Sequence, residues 1–240
     1  MLFDGIDTRV ARPDPQAWLQ LKKAGIRLAA GDEVLTFVNR NLEPYRGFHV
    51  FMRALPAILR ERPKAQVLVI GGDEVSYGSR PAGGGTWRQR LQAELGDAWP
   101  RERVHFLGRL PYRDYLRVLQ VSRCHVYLTY PFVLSWSCVE AMSVGCTVVA
   151  SRTAPVQEFI EHGRDGLLLD FFDVPALARQ VCDVLARPAA HAALGERARA
   201  GVVERCDLVT RCLPALCQLV LGADRDPPQI LQSVIRAQPG

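Results

Sequence analysis

The sequence predicts an α/β fold built on a Rossmann-like, doubly wound parallel sheet of about six strands. Three observations predict it. Short apolar runs recur at 34–38, 67–70, 104–107, 125–128, 147–150 and 166–169. Segments with apolar residues at helical spacing lie between them, and glycines close several runs, as at Gly71-Gly72 and Gly108. Uninterrupted apolar runs suit strands covered on both faces. Strand–helix alternation at this pitch implies right-handed βαβ crossovers.

Taken in order, residues 1–33 read as a linker-like entry segment, 34–221 as the folded domain and 222–240 as a Pro-containing polar tail. Val34–Val38 is the first strand. The helix after it, Phe48–Leu59, ends before Pro63. Residues 73–86 are rich in Gly, Ser and Pro and read as a long loop. Helices follow at 87–95 and 112–121, the latter with Pro111 near its start. Another runs from about Ser135 to Val144, with Gly145 placed for a C-cap. The last helical patterns cover 173–186, 189–204 and 207–221.

Composition narrows the class. The chain has 240 residues, 48% hydrophobic and 23% charged, which excludes collagen, low-complexity disorder and a disulfide mini-protein. A chain of this length buries roughly 70% of its unfolded surface. No apolar run approaches the ~20 residues of a membrane span, and no signal peptide is expected from the first residues. The net charge of +5 comes mostly from dispersed arginines, with lysine only at 22, 23 and 64. That lacks the clustered stripe of a nucleic-acid binder. The seven cysteines form no Cys-x-x-Cys pair, so buried, reduced thiols in a cytoplasmic protein are expected, with no metal site.

Ligands of such sheets bind beyond the carboxyl ends of the strands, so the loops after strands hold the candidates. The first contains Arg40 and Arg46, whose guanidinium groups suit phosphate. A surface ion pair of Arg46 with Glu43 is the plain alternative. The loop after the fourth strand runs from Tyr130 into a helix whose free N–H groups favour an anion. Glu140 has two readings. In one, Ser137-x-x-Glu140 is a capping box and the carboxylate bonds its own backbone. In the other, Ser135 is the N-cap and Glu140 faces a ligand, where it accepts ribose hydroxyls. Trp136 reads as core or binding surface. His105 and His125 read as core or edge histidines, His162 as solvated, and Trp18, Trp87 and Trp99 as packing.

Several segments, in order, resemble family-4 GT-B glycosyltransferases over about residues 3–220. Asp4-Gly5-Ile6-Asp7-Thr8 is similar to the family's Gly-Val/Ile-Asp-Thr opening. Arg40 and Arg46 fall at its Gly-Arg and Lys-Gly positions. Glu140-Ala141-Met142-Ser143-x-Gly145-x-x-Val148-Val149-Ala150-Ser151 resembles its Glu-Ala-Met signature. Glu158-Phe159-Ile160-x-x-Gly163-x-x-Gly166-Leu167-Leu168 resembles its next run.

The resemblance implies the C-terminal, nucleotide-sugar-binding half of a GT-B fold, in a retaining, metal-independent enzyme with no cofactor beyond a UDP- or GDP-sugar donor. It implies that Arg40 and Arg46 neutralise the leaving diphosphate. Residues Phe132, Val133, Leu134, Ser135, Trp136 and Ser137 then bind phosphate and sugar, Glu140 holds the ribose, the backbone near Arg109 and Leu110 faces the base, and Gly72 also belongs to the substrate site. It implies a glycan or lipid-linked acceptor, as in polysaccharide biosynthesis in bacteria. An N-terminal acceptor domain is expected to precede residue 1 and to carry any peripheral contact with the inner face of the membrane. Two residues depart from the pattern: Phe132 stands where the family has its first glutamate, and Asn39 replaces a glycine. A non-catalytic nucleotide-sugar-binding module is therefore the alternative. An apolar face on 207–221, left uncovered, is expected to favour a homo-dimer.

Overall fold

The computed structural model describes residues 3–130 and 132–221. The chain starts with a short antiparallel hairpin, β1 (Trp18–Leu21) and β2 (Ile26–Ala29). Six parallel strands follow: β3 (Val34–Asn41), β4 (Gln66–Gly72), β5 (Val104–Gly108), β6 (Cys124–Tyr127), β7 (Thr147–Ser151) and β8 (Leu167–Leu169). They lie in the order β5-β4-β3-β6-β7-β8, as expected of a doubly wound sheet.

Side-chain alternation divides the core in two. Leu35 and Phe37 of β3, with Val67 and Val69 of β4, face α1 (Phe48–Glu61), α2 (Trp87–Leu95) and α6 (Val174–Ala186). Val34 and Val38, with Leu68 and Ile70, face α3 (Tyr112–Gln120), α4 (Trp136–Ser143) and α7 (Pro188–Cys206). Phe37 stacks on Phe51 of α1 at 4.4 Å between ring centroids, an arrangement that adds to the area both rings bury. The α2 helix starts in a full capping box: Thr86 accepts from the Gln89 amide and Gln89 reaches back to the Thr86 amide.

The chain order reverses direction between β3 and β6, so the switch point lies there. Their ladder has three pairs, ending at Phe37–Val126. β3 continues beside β4 as far as Asn41–Gly72, and β6 continues beside β7 to Tyr127–Ala150. The carboxyl ends of β3 and β6 therefore part, and the loops after them bound a crevice.

Two segments differ from expectation. Residues 3–33 are more than a linker: the hairpin packs on α3, and Ile6, Ala11, Ala17 and Leu28 are buried in the core. Strands of four residues around a Lys22–Gly25 turn gave too short an alternation to read. Residues 207–221 are not one helix. Asp207 accepts from the Thr210 amide and a π turn over Leu208–Cys212 precedes α8 (Leu213–Leu221). Leu219 and Val220 of α8 are exposed. The expected tail lies outside the described residues. All seven cysteines are free, six of them buried. Among the described residues, no helix is long and apolar enough to cross a membrane.

His125 is wholly buried in β6, its Nδ1 2.8 Å from Thr36 Oγ1 and its Nε2 without a partner. Desolvation pushes its pKa down to about 3, so the folded protein keeps it neutral. Because the folded value is depressed, this stabilisation is present above the unfolded value of about 6.5 and is lost as pH falls from there toward about 3. Urea titrations in that window are expected to show a loss of up to about 1.4 kcal/mol per pH unit from this residue. His125→Leu is expected to flatten the slope. Gly47 has φ +70°, and a Cβ there would overlap the Leu128 side chain. Gly47→Ala is expected to cost about 2–4 kcal/mol, read as a lower urea midpoint at an unchanged m-value.

Candidate anion site at the switch point

The loop after β3 makes a 3-10 turn over Pro44–Arg46 and closes on Gly47, whose left-handed conformation then starts α1. Proline pre-sets the backbone for the first position of such a turn. Gly47 is pressed against Leu128, just past the end of β6, and the Arg46 side chain beside it enters the crevice.

Arg46 is 6% exposed. Its Nη1 donates to Thr129 Oγ1 at 3.0 Å, to the Val133 carbonyl at 3.1 Å and, at 3.4 Å, toward the Tyr127 hydroxyl. Its Cζ lies 4.6 Å from the centre of the Phe132 ring and 5.0 Å from that of Tyr77. Those two rings are 4.2 Å apart. Every partner is neutral: among the described residues, Arg46 forms no ion pair. A buried charge is costly unless paired, and the ring faces and three acceptors offset only part of that cost. Arg46 is thus a buried cation with no charged partner among the described residues.

Thr129 is itself held. Its amide donates to Ser151 Oγ, and the Ser151 hydroxyl donates back to the Thr129 carbonyl, both at 3.0 Å. The amino end of α4 converges on the same place. Tyr127 Oη accepts from the Ser135 amide at 2.8 Å while it meets Arg46. Ser135 is the N-cap residue by conformation, but its hydroxyl pairs with that of Ser137 at 2.6 Å and no side chain caps the helix. The exposed first turn therefore presents its positive end to the crevice.

This settles the register at Glu140. The capping box with Ser137 does not form, because Ser135 starts the helix and Glu140 lies beyond its first turn. Glu140 Oε2 instead accepts from the Tyr115 hydroxyl of α3 at 2.7 Å. Burial pushes the Glu140 carboxyl up, and the hydroxyls of Tyr115 and Tyr112 pull it back down.

The expected Arg46–Glu43 ion pair is also corrected. Glu43 is fully buried and accepts from the backbone amides of Ser76, Tyr77 and Gly78 at 3.0–3.3 Å. Three fixed N–H groups satisfy the carboxylate, and Arg46 turns the other way. Trp136, open between core and surface in the sequence, is exposed.

The remaining candidates spread outward. Arg40 is exposed on β3 and forms no hydrogen bond or ion pair among the described residues. Arg109 is exposed and donates to Asn41 Oδ1 at 3.3 Å and to Glu74 at 3.1 Å. Asn41 in turn donates to Ser76 Oγ at 2.7 Å. A Cβ on Gly72 would stand 2.6 Å from Asn41 Oδ1, so a side chain there would displace the Asn41 amide. Val133 is exposed, while Leu134 and Leu110 are half-buried and pack against the α3–α4 core. A groove of about 880 Å³ between the hairpin and α3 includes Leu110 in its lining but not Arg46. Sequence reading missed the roles of Glu43, Tyr127, Thr129 and Ser151. Each acts on Arg46 or its loop only through the tertiary fold, although Ser151 did fall inside a recognised motif.

Comparison with known proteins agrees with this architecture. The family model described as "Glycosyl transferases group 1" matches residues 20–201. A GDP-mannose-dependent alpha-(1-6)-phosphatidylinositol monomannoside mannosyltransferase of Mycolicibacterium smegmatis is 27% identical over 214 residues, covering 86% of this chain and 52% of that protein. A D-inositol 3-phosphate glycosyltransferase of Mycolicibacterium vanbaalenii is 30% identical over 169 residues, covering 68% and 36%. The chain thus spans about half the length of such relatives, or less. Among solved structures, Anabaena Alr3699/HepE in complex with UDP superposes with a TM-score of 0.71 at 20% identity, over 91% of this chain and 56% of that one. The C-terminal domain of a glycosyl transferase group 1 family protein (LpcC) from Francisella tularensis gives a TM-score of 0.69 at 15% identity, over 84% and 98%. The chain belongs to the group 1 glycosyl transferase family.

Proposed function

We propose that this chain is the C-terminal, donor-binding half of a family-4, retaining GT-B glycosyltransferase. The whole enzyme transfers a sugar from a nucleotide-diphosphate sugar to a glycan or lipid-linked acceptor held by a second domain. The buried, unpaired Arg46 guanidinium beside the uncapped amino end of α4 carries this reading. Its place at the switch point supports it. So does the likeness to a C-terminal domain of this family. The curated relatives support nucleotide-sugar chemistry.

Breaking a sugar–phosphate bond develops negative charge on the departing diphosphate. A guanidinium already fixed in a dry site, with a helix amino end next to it, stabilises that charge without reorganising. Arg40, at the carboxyl end of β3, adds a second cation from the solvent side. Two arginines and a helix end supply the charge that a divalent metal supplies elsewhere, so the reaction is metal-independent. Glu140 accepts from ribose hydroxyls, and the Gly72–Arg109–Leu110 corner takes the base. Donors of the UDP or GDP class fit this arrangement. A non-catalytic nucleotide-sugar-binding module is the second reading, favoured by Phe132, which offers a sugar hydroxyl no carboxylate.

Calorimetric titration of the chain with UDP and with GDP tests the donor site. Binding of one of them is expected, and binding of neither overturns the reading. Binding without sugar transfer by the protein joined to an acceptor domain selects the module. Arg46→Met removes the charge and keeps the length of the side chain. It is expected to leave stability unchanged or raise it by up to about 2 kcal/mol, because it removes an uncompensated buried cation. It is also expected to lower transfer on the order of 100-fold. The Glu140 carboxyl, raised by burial, accepts from ribose at both oxygens, and most strongly, when ionised. Nucleotide affinity is therefore expected to fall as pH drops through that raised value. Tyr115→Phe removes a bond that favours the ionised form, so it is expected to move the inflection to higher pH, and Glu140→Gln is expected to abolish it.

A further inference from the structure

We propose that Glu43 is a positioning residue that clips the Ser76–Gly78 segment over the crevice, so that the Tyr77 ring becomes one wall of the diphosphate pocket. The proposal rests on the donor-site reading above. Glu43 is 0% exposed. Buried carboxylates ordinarily pair with a cation, yet this one forms no ion pair among the described residues. Its oxygens instead accept from three successive amides: Ser76 at 3.2 and 3.3 Å, Tyr77 at 3.1 Å and Gly78 at 3.0 Å. Hydrogen bonds to an ionised acceptor are the strong ones, and three of them fix the backbone at Tyr77.

Two further bonds hold the same loop. Asn41 donates to Ser76 Oγ at 2.7 Å, and Trp87 Nε1 donates to the Ser79 carbonyl at 2.9 Å. Gly78 is confined as well, since a Cβ there would come within 3.1 Å of the Tyr45 ring. A loop of fourteen residues rich in glycine is thus pinned on one side of Tyr77 and on the other.

The pinning has a chemical purpose. Tyr77 and Phe132 both lie against the Arg46 guanidinium, at 5.0 and 4.6 Å. The two rings pack side by side against the guanidinium, and its Nε and Nη2, which make no hydrogen bond among the described residues, stay available for phosphate oxygens. They also exclude water from the side they cover, which strengthens the charge interaction that remains. Glu43 and Arg46 are three residues apart on one 3-10 turn. A single turn therefore carries both the cation and the clip for its cover, and the two are set in register by one piece of backbone.

Glutamine has the shape of glutamate but presents an NH2 donor to amides that need acceptors. Hydrogen exchange of the Ser76, Tyr77 and Gly78 amides is to be followed in the full chain, together with UDP and GDP titrations. The proteins compared are wild type, Glu43→Gln, Tyr77→Ala and Tyr77→Phe. Glu43→Gln is expected to speed exchange of those amides at least tenfold and to weaken nucleotide binding at least tenfold. Tyr77→Ala, at an exposed position, is expected to weaken binding to a similar degree while the amides stay protected, and Tyr77→Phe to recover most of that loss. Should Glu43→Gln fail to fold, the Tyr77 pair decides the matter alone: equal affinity for wild type and Tyr77→Ala overturns the proposal. Faster exchange in Glu43→Gln with nucleotide affinity within twofold of wild type overturns it too, and leaves the donor site standing. A wild type that binds neither nucleotide overturns the donor reading and this inference together.

Discussion

The arrangement at the switch point depends on one burial: a guanidinium held at 6% exposure by neutral partners alone. Left to itself, such a group is better placed in water or beside a carboxylate. The protein keeps it inside by supplying a hydroxyl, a carbonyl and two aromatic faces, and by bracing those partners from behind. Ser151 braces Thr129 through two reciprocal bonds. Tyr127 joins Arg46 to the start of α4 through one hydroxyl. Strain of this kind, carried by surroundings that over-determine it, is the usual mark of a site selected for something besides stability.

The same burial explains why the neighbouring carboxylate does not pair with the arginine. Glu43 and Arg46 are near in sequence, and on a flexible surface they would meet. Here the 3-10 turn sends them to opposite sides, one into backbone amides and the other into the crevice. An ion pair would have satisfied both charges locally and left nothing to attract an anion. Keeping them apart uses fixed backbone donors to satisfy the acid, and it reserves the cation.

Much of the fold was legible because local signals agreed. All six sheet strands coincide with the apolar runs, to within a few residues at their ends, since covering both faces of a strand leaves no room for alternation. The hairpin escaped notice because its strands have four residues each and its polar turn resembles a loop. In the site, Arg46 and the α4 amino end were visible from their place after strands, and family motifs pointed to the same positions. The register at Glu140 was not visible, since Ser135 and Ser137 are equally good N-caps in sequence and only the Tyr127 hydroxyl chooses between them. Glu43 was hidden for a different reason. Its partners lie more than thirty residues away, and a single glutamate before a proline carries no periodic or motif signal of burial. Phe132 was noted as a missing glutamate, but its role as a ring against the guanidinium needed coordinates.

The early end of the β3–β6 ladder has a consequence for how this scaffold tolerates change. Past Phe37 and Val126 the two strands no longer share hydrogen bonds, yet each stays anchored to its outer neighbour, β4 on one side and β7 on the other. The sheet is slit at its centre without being torn. Residues at the mouth of the slit take no part in β3–β6 pairing, so their chemistry can be rewritten while that ladder stays whole. A body built this way separates the part that must be kept from the part that can diversify.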